Sequence, residues 1–304
     1  MPNGILLLNK PEGIRSTYCV TRVKHLFNEK TGHTGTLDST ACGLLVMLLG
    51  GATRLSYYVM LLPKVYTAVI CLGSETDTAD ASGEIIRRGN ARDINENDVD
   101  LVLNYFTGEI MQVPPGISAI KVGGKAAHRI TRSIMNKNAG MEFSLPARPV
   151  FVYNIKRTSP VSGCEFEIKV RCGKGTYIRG IARDIGRMLG CGGHVRKLKR
   201  LSVGGFSVDN ALDLEGLSPE SLLPMESIAE FYDRVFLNAE AEMRLFNGHR
   251  VILCEAGEHV AGKTEAGHVA VLGENIFGFA EIRTEGEISY LYPSVNIRKN
   301  SLLT

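Results

Sequence analysis

The sequence predicts an α+β protein in which a large mixed domain is followed by a smaller, β-rich one. Two observations predict this class. Before about residue 218, runs with the alternation of strands and runs with helical spacing occur in mixed order. From Val235 onward the pattern changes to short β runs separated by glycine, which is typical of a barrel-like domain of about 70 residues. We therefore predict domains at residues 1–231 and 232–304.

The elements of the first 106 residues are predicted in order as follows. The segment GILLLNKPEG, from Gly4, is a short strand that ends at a Pro-Glu-Gly turn. Residues 17–27 place their valines at helical spacing after a Ser/Thr cap, and the apolar residues 44–58 indicate a largely buried helix. Residues 65–73 alternate as a strand does, a polar turn follows, and residues 93–106 have the composition of a surface helix.

The second part of the large domain continues this mixture. The segment MQVPPGISAIKVGGK, from Met111, is predicted to be extended and interrupted by proline and glycine. Two strands follow within residues 148–172, joined by the turn SPVSG. The segment GTYIRGIARDIGRMLGCGG, from Gly175, predicts a helix that stops at a glycine pair. Residues 218–232 are predicted to be a linker.

Composition excludes several classes of protein. The chain has 304 residues, of which 44% are hydrophobic and 22% charged, and no apolar run approaches the roughly 18 residues that span a bilayer. The run Ile5–Leu8 is too short for a signal-peptide core, so we expect a cytoplasmic protein. The seven cysteines form no C-x-x-C pair and the seven histidines lack metal-ligand spacing, which argues against a disulfide framework and a metal site.

Charge is distributed unevenly along the chain. Residues 121–200 contain 18 basic and 4 acidic residues, a local net charge of +14, whereas the whole chain carries only +3. Segregation of this size indicates a surface that binds a polyanion. A solvated basic surface without a ligand is the alternative.

The stretch TGHTGTLDSTACG, residues 31–43, surrounds one carboxylate, Asp38, with three glycines. Taken alone, Asp38 or Ser39 before an apolar run favours a helix N-cap over a catalytic residue, and Ser39 is the preferred cap. Tyr66 alone is equally well explained as an ordinary strand aromatic.

Six segments in order change this interpretation. They are LLLNKPEGIRST, GHTGTLDSTACGLL, VYTAVICLGSETDTADASGE, QVPPGISAIKVGGK, VRCGKGTYIRGIARDIG and CGGHVRKLKRLSVGGF. Together they resemble the TruB family of tRNA pseudouridine synthases over roughly residues 4–225. The resemblance implies a mixed, largely antiparallel central sheet flanked by helices, the pseudouridine synthase fold. It also implies that the C-terminal segment is a PUA-like RNA-binding domain.

The resemblance assigns roles to individual residues. It implies that Asp38 is the catalytic aspartate, that Tyr66 packs on the target base and helps move the proton from its C5, and that Arg179 pairs with the aspartate. The substrate-binding residues that it implies are Lys10, His33, Asp80, Tyr177 and Leu198, of which Lys10 has a largely structural role. The glycines of residues 31–43 are interpreted as room for an RNA backbone. The loop 124–142 is expected to close over RNA.

The implied reaction is the isomerisation of uridine 55 in the T loop of tRNA. It breaks the bond from N1 to C1′ and forms one from C5 to C1′, and because no water attacks, one carboxylate suffices where glycoside hydrolases need two. A covalent and a glycal intermediate both fit an aspartate, as nucleophile or as base. Arg179 would keep that carboxylate ionised in a pocket that excludes water.

No cofactor and no metal are implied, and the partner is the T stem-loop of tRNA. We expect a monomer that needs no protein partner and does not bind membranes. Two alternatives stay open: a guide-RNA-dependent relative with the same chemistry, and a non-catalytic module that binds or folds tRNA.

Overall fold

The computed structural model describes residues 3–116, 121–122, 125–126, 145–262 and 267–299. Six α-helices lie in these ranges: α1 (Ser16–Phe27), α2 (Ser56–Leu61), α3 (Glu96–Leu103), α4 (Ile178–Met188), α5 (Ala239–Phe246) and α6 (Leu253–Ala256). Every one of them is too short or too polar to cross a lipid bilayer. Apart from Lys125–Ala126, the loop 124–142 lies outside the described residues.

The same ranges contain nineteen strands. They are β1 (Gly4–Lys10), β2 (Thr31–His33), β3 (Ala41–Leu49), β4 (Lys64–Leu72), β5 (Ser74–Thr76), β6 (Ile85–Arg88), β7 (Gly108–Gln112), β8 (Lys121–Val122), β9 (Lys125–Ala126), β10 (Arg148–Arg157), β11 (Glu165–Cys172), β12 (Gly193–Val203), β13 (Phe206–Ser207), β14 (Asp233–Leu237), β15 (Val251–Ile252), β16 (Gly257–Val260), β17 (His268–Leu272), β18 (Ile276–Glu285) and β19 (Ile288–Arg298).

The chain divides into two compact units. The first consists of Met1–Asp38, Leu44–Leu62 and Val203–Thr304, and the second of Ser39–Gly43 and Pro63–Ser202. The predicted domain boundary between residues 231 and 232 is not the boundary between these units, and it stays a prediction about folding domains.

The second unit is built on the sheet strands β12-β4-β11-β10-β7, and the first three residues of β3, which belong to this unit, pair with β12. The last four strands are joined antiparallel, whereas β12 runs parallel to β3. Strand β11 shows why one face is buried, because Phe166, Ile168 and Val170 alternate with polar residues and join one hydrophobic cluster. Helices α3 and α4 contribute apolar side chains to the same cluster. The mixed, largely antiparallel sheet expected from the resemblance is confirmed.

The first unit contains a six-stranded sheet of the order β15-β19-β18-β17-β14-β16. Its strands share a core with N-terminal elements: the Tyr58 ring stacks on Phe279 with a centroid distance of 3.8 Å. The Tyr232 hydroxyl donates to the carbonyl of Tyr58 over 2.7 Å. Residues 218–232, predicted as a linker, include two 3₁₀ helices, and Met225 is buried in this core.

The prediction of a helix over residues 44–58 is wrong. The run instead continues strand β3 to Leu49, followed by a 3₁₀ helix and the short α2. Alternate side chains of β3 enter two different hydrophobic clusters, so that both faces of the strand are buried. A strand buried on both faces has a continuous apolar sequence, which periodicity cannot distinguish from a buried helix. Ser39 lies in a turn and caps no helix.

Most other local predictions are confirmed with small shifts. Helix α1 spans the predicted residues 17–27 but follows Arg15 without the predicted Ser/Thr cap, β4 is the predicted strand 65–73 shifted by one residue, and α4 ends before the glycine pair. Helix α3 begins with a reciprocal capping box between Asn95 and Asp98. The polar turn after β4 contains a small β5–β6 hairpin that was not predicted.

Gly43 has a structural explanation that differs from the predicted one. Its φ is +97°, and an added Cβ would overlap the carbonyl oxygen of Arg200 on β12. Glycine at this position therefore permits the parallel contact of β3 with β12. Close approach of RNA is not needed to explain it.

Replacing Gly43 by alanine should lower the free energy of unfolding by about 2–6 kcal/mol, because strain at positive φ and overpacking each cost ~1–3 kcal/mol. Urea unfolding measures the change. The matched control is Gly32→Ala, since a Cβ at Gly32 meets no heavy atom within 4 Å. Equal stability of the two variants would contradict this account of Gly43.

Candidate active site

Arg179 is the second residue of α4 and only 5% of it is exposed. Its Nη1 donates to the carbonyl of Thr78 over 2.8 Å and lies 3.7 Å from Oδ2 of Asp80. A buried guanidinium requires hydrogen-bond acceptors and a compensating negative charge. The loop that contains Thr78 and Asp80 supplies both.

Asp80 organises this loop as well as facing Arg179. Its Oδ1 accepts from the Thr78 hydroxyl at 2.8 Å, and from the backbone N–H and hydroxyl of Ser82 at 2.9 and 2.5 Å. The Thr76 hydroxyl donates to the Asp80 carbonyl over 2.7 Å. Three donors on one carboxylate oxygen fix the side chain, so Asp80 presents its other oxygen to Arg179 in one orientation.

Tyr177 is held from a distant part of the sequence. The Gln112 side-chain amide donates to the Tyr177 carbonyl over 3.0 Å and accepts from its N–H over 2.9 Å. A Cβ at Gly180 would lie 2.9 Å from Nε2 of Gln112, so glycine at that position lets the amide reach the helix. Gln112 therefore fixes the start of α4 at Tyr177, two residues before Arg179, and was not predicted as a site residue.

Tyr66 and Leu198 lie on the helix-covered side of the sheet. Both are partly buried against the hydrophobic cluster to which Ile178 of α4 belongs. Tyr66 pairs with Val170 on β11, and Leu198 pairs with Ala41 on β3. The second unit thus places Tyr66 and Leu198 against one hydrophobic cluster. Ile178, the residue before Arg179 in α4, belongs to the same cluster.

Two buried cations lie on the same strand faces as Tyr66 and Leu198. Lys64 precedes Tyr66 by two residues and Arg200 follows Leu198 by two, so each shares a strand face with a predicted site residue. Burial, and then the charge of Arg200, lower the pKa of Lys64 to about 8. Burial raises the pKa of the neighbouring Cys172 thiol to about 11. We did not predict this pair, although cations two residues from Tyr66 and Leu198 were a signal in the sequence.

Asp38 is half-buried and lies in neither a helix nor a strand. The backbone of Leu37 before it is fixed by Ser16, whose hydroxyl donates to the Leu37 carbonyl over 2.8 Å and accepts from its N–H over 3.0 Å. The Nδ1 of His33 accepts from the N–H of Gly35 over 3.4 Å. His33 therefore ends strand β2, and Asp38 lies in the loop that follows it, which is anchored to Ser16 of helix α1.

Lys10 is fully buried at the end of β1. Its Nζ donates to the carbonyls of Pro11 and Ile14 over 2.8 and 2.7 Å. These bonds hold the turn that leads into α1, which agrees with the largely structural role implied by the resemblance.

The predicted site residues fall into two groups. The first unit contains Lys10, His33 and Asp38, and the second contains Tyr66, Asp80, Tyr177, Arg179 and Leu198. In the described part of the chain, no group of three or more His, Cys, Asp or Glu side chains is placed to hold a metal ion. All seven cysteines are unpaired thiols.

Two family models match consecutive parts of the chain. Residues 24–178 match the TruB family pseudouridylate synthase N-terminal domain, and residues 179–243 match the tRNA pseudouridylate synthase B C-terminal domain. The tRNA pseudouridine synthase B of Aromatoleum aromaticum is 38% identical over 296 residues, covering 94% of this chain and 91% of the relative. That of Thermobifida fusca is 38% identical over 291 residues, covering 92% and 97%.

Solved structures agree on the fold. A chain in the crystal structure of a Cbf5-Nop10-Gar1 complex superposes with a TM-score of 0.72 at 24% identity, covering 97% of this chain and 84% of that one. A chain in an archaeal box H/ACA sRNP Nop10-Cbf5 complex gives 0.68 at 23% identity, covering 96% and 84%. The two family models and the sequence relatives establish membership directly: the chain belongs to the TruB family of pseudouridylate synthases.

Proposed function

We propose that this protein converts uridine 55 in the T loop of tRNA to pseudouridine, with the Asp38 carboxylate acting on a flipped-out uridine. Membership of the TruB family supports the reaction class. The observation that carries the residue assignment is the fixed, buried guanidinium of Arg179 at the start of α4, beside the cluster on which Tyr66 and Leu198 pack.

The reaction moves the uracil ring without adding or removing an atom. The N1 to C1′ bond breaks and its electron pair leaves with the uracil, which rotates and attacks C1′ through C5. A base then removes the C5 proton, and N1 gains one. Asp38 either attacks C1′ and is displaced when C5 attacks, or removes the proton from C2′ and returns it as C5 bonds to C1′, and Tyr66 assists in moving the C5 proton.

Arg179 serves this chemistry by holding Asp38 ionised. Burial alone would raise the pKa of a carboxylate, and a guanidinium within ion-pair distance opposes that shift. Asp80 is the positioning residue in this proposal, because three donors fix one of its carboxylate oxygens and the other faces the arginine. The pairing of Asp38 with Arg179 is itself part of the proposal.

A uridine inside a folded loop must leave its stack before these groups reach it. We assign Tyr66 to the flipped base as its stacking platform, Tyr177 and Leu198 to the pocket walls, and His33 to the rearranged T loop. Lys64 and Arg200 share strand faces with Tyr66 and Leu198. We assign to them the binding of an RNA phosphate next to the target nucleotide. Burial in this position makes a phosphate contact stronger than it would be at the surface.

The wider setting follows from the substrate. The basic residues of positions 121–200 would neutralise tRNA phosphates, and residues 232–304 would act as a PUA-like RNA-binding domain. The protein would work as a monomer in the cytoplasm on the T stem-loop, without an obligatory protein partner.

Asp38→Asn should abolish turnover while tRNA still binds, because the amide keeps the shape of the carboxylate and loses its charge and basicity. Release of tritium from [5-³H]uridine in a T-stem-loop RNA measures turnover, and we expect a loss of about 10²–10⁴-fold or more. The control is Asp93→Asn, at an exposed aspartate of the second unit. Tritium release by Asp38→Asn at the parent rate would show that Asp38 has no role in the mechanism. If the parent protein itself released no tritium, the alternative of a non-catalytic RNA-binding module would be favoured.

Arg179→Lys should lower the single-turnover rate by about 10²-fold, because an ammonium cannot bond to the Thr78 carbonyl and face a carboxylate with the same planar geometry. Arg187→Lys is the matched control on the same helix, where the arginine binds Glu75 away from Thr78 and Asp80. Thermal melting of both variants separates a catalytic loss from unfolding. Parent-like rates for Arg179→Lys would contradict the role of the guanidinium.

RNA affinity should fall as the pH rises through about 8. Lys64 is protonated and attracts phosphate below its pKa of about 8, and it becomes neutral above that value. A charge-assisted hydrogen bond of ~1.5–3 kcal/mol corresponds to a loss of about tenfold or more. Lys64→Met should bind weakly at neutral pH and change less between pH 7 and 9, and the exposed control Lys197→Met should retain the parent's pH dependence. Binding titrations with the same pH slope for Lys64→Met and the parent protein would exclude this assignment.

A further inference from the structure

The open face of the sheet in the second unit bears two exposed aromatic rings. Phe151 and Tyr153 on β10 are each 45% exposed, and their ring centroids are 4.9 Å apart. They alternate with Val150 and Val152, which are buried. The rings therefore lie on the face opposite the hydrophobic cluster, away from the row that contains Tyr66.

The surroundings of these rings leave their surface accessible. Gly173 lies beside Phe151, since its N–H donates to the Phe151 carbonyl over 2.8 Å, and it has no side chain to cover the ring. On the other side Phe151 pairs with Glu109 of the edge strand β7, which is exposed. Adjacent exposed apolar side chains can mark an interaction site, and aromatic rings offer flat surfaces for stacking.

Cations surround the rings on the same face. The Arg171 guanidinium carbon lies 5.1 Å from the centroid of the Tyr153 ring. Lys156 and Lys169 are directly opposite each other in the register of β10 with β11, and both are exposed. Like charges directly opposite on a sheet are destabilising. Within the described chain no carboxylate forms an ion pair with Lys156, Lys169 or Arg171.

Of the acidic residues on this face, Glu109 lies opposite Phe151 and is exposed, whereas the two on β11 have partners of their own. Glu167 accepts from the Thr158 hydroxyl over 2.8 Å, and Glu165 forms an ion pair with Arg196. In the described chain, Lys156, Lys169 and Arg171 thus form a basic patch without ion pairs on the sheet face that bears the two rings. An anionic ligand with flat groups satisfies both features at once, whereas an acidic peptide would use only the charges.

We propose that Phe151, Tyr153, Lys156, Lys169 and Arg171 form a stacking platform for single-stranded RNA, on the sheet face opposite the candidate active site. Two or three successive bases stack on the rings and the cations contact their phosphates, as on other sheet faces that bind unpaired nucleotides. This platform would bind an unpaired stretch of RNA other than the uridine that reacts. It does not depend on the isomerase reaction.

The chain contains no tryptophan, which makes a direct fluorescence test possible. Phe151→Trp places one indole on the platform, and the probe is a decamer of adenosine nucleotides, which contains no uridine and cannot be a substrate. We expect saturable quenching of Trp fluorescence by base stacking. The matched control is Tyr105→Trp, at a side chain that is 72% exposed in the 3₁₀ helix Asn104–Phe106. It should not be quenched.

Two further variants test the components of the platform. Adding Tyr153→Ala to Phe151→Trp should weaken binding about fivefold or more, the effect of losing one stacked base. Lys156→Gln with Lys169→Gln should reduce the salt dependence of binding and, because the like-charge pair is relieved, raise the melting temperature or leave it unchanged.

Three results would overturn the proposal: no quenching at position 151, equal quenching at positions 105 and 151, or equal quenching by a decamer of glutamate. The last result would assign the face to an acidic peptide. Because the RNA probe lacks uridine, failure of the tritium assay and failure of the platform are separate outcomes.

Discussion

Burial of β3 on both faces is the constraint on which the first unit depends. Leu44, Val46 and Leu48 enter one hydrophobic cluster, and the residues between them enter another. The strand is therefore fixed along its length, and β2 pairs with it so that the backbone N–H of Thr34 bonds to Val46. The loop that leads to Asp38 follows β2, so it starts from a strand that is held against β3. A side chain that acts on a flipped nucleotide requires such a support, because small errors of placement reduce rates strongly.

The second unit solves a different problem, which is to compensate the charge of a guanidinium that is buried away from water. Asp80, Thr78 and the start of α4 form one polar array around Arg179. Gln112 fixes the backbone of Tyr177, two residues before the arginine. Removing one member of a buried ionic array leaves the other charged and uncompensated. The array is therefore a cooperative support for one arginine, and its members come from three separate places in the sequence.

Sequence patterns correctly predicted the helices and strands that have one buried and one exposed face. Strand β11 alternates because one face is buried and the other is not, and α4 has an apolar stripe for the same reason. The pattern failed for β3, where both faces are buried and the alternation disappears. The site residues became predictable through ordered motifs, whereas Gln112 acts on Tyr177 from 65 positions away and gives no local signal. Phe151 and Tyr153 resembled ordinary strand residues, since exposure is a property of the folded sheet.

The stack of Tyr58 on Phe279 links parts of the chain that are made far apart in time. The first unit needs residues near both ends, while most of the second unit is the continuous segment Pro63–Ser202. During synthesis on the ribosome, the second unit can complete nearly all of its contacts before the partners of Tyr58 exist. The N-terminal residues of this core leave apolar surface exposed until strands β18 and β19 have been synthesised. During synthesis, the side chains that pack on Phe279 are therefore among the last of this core to be buried.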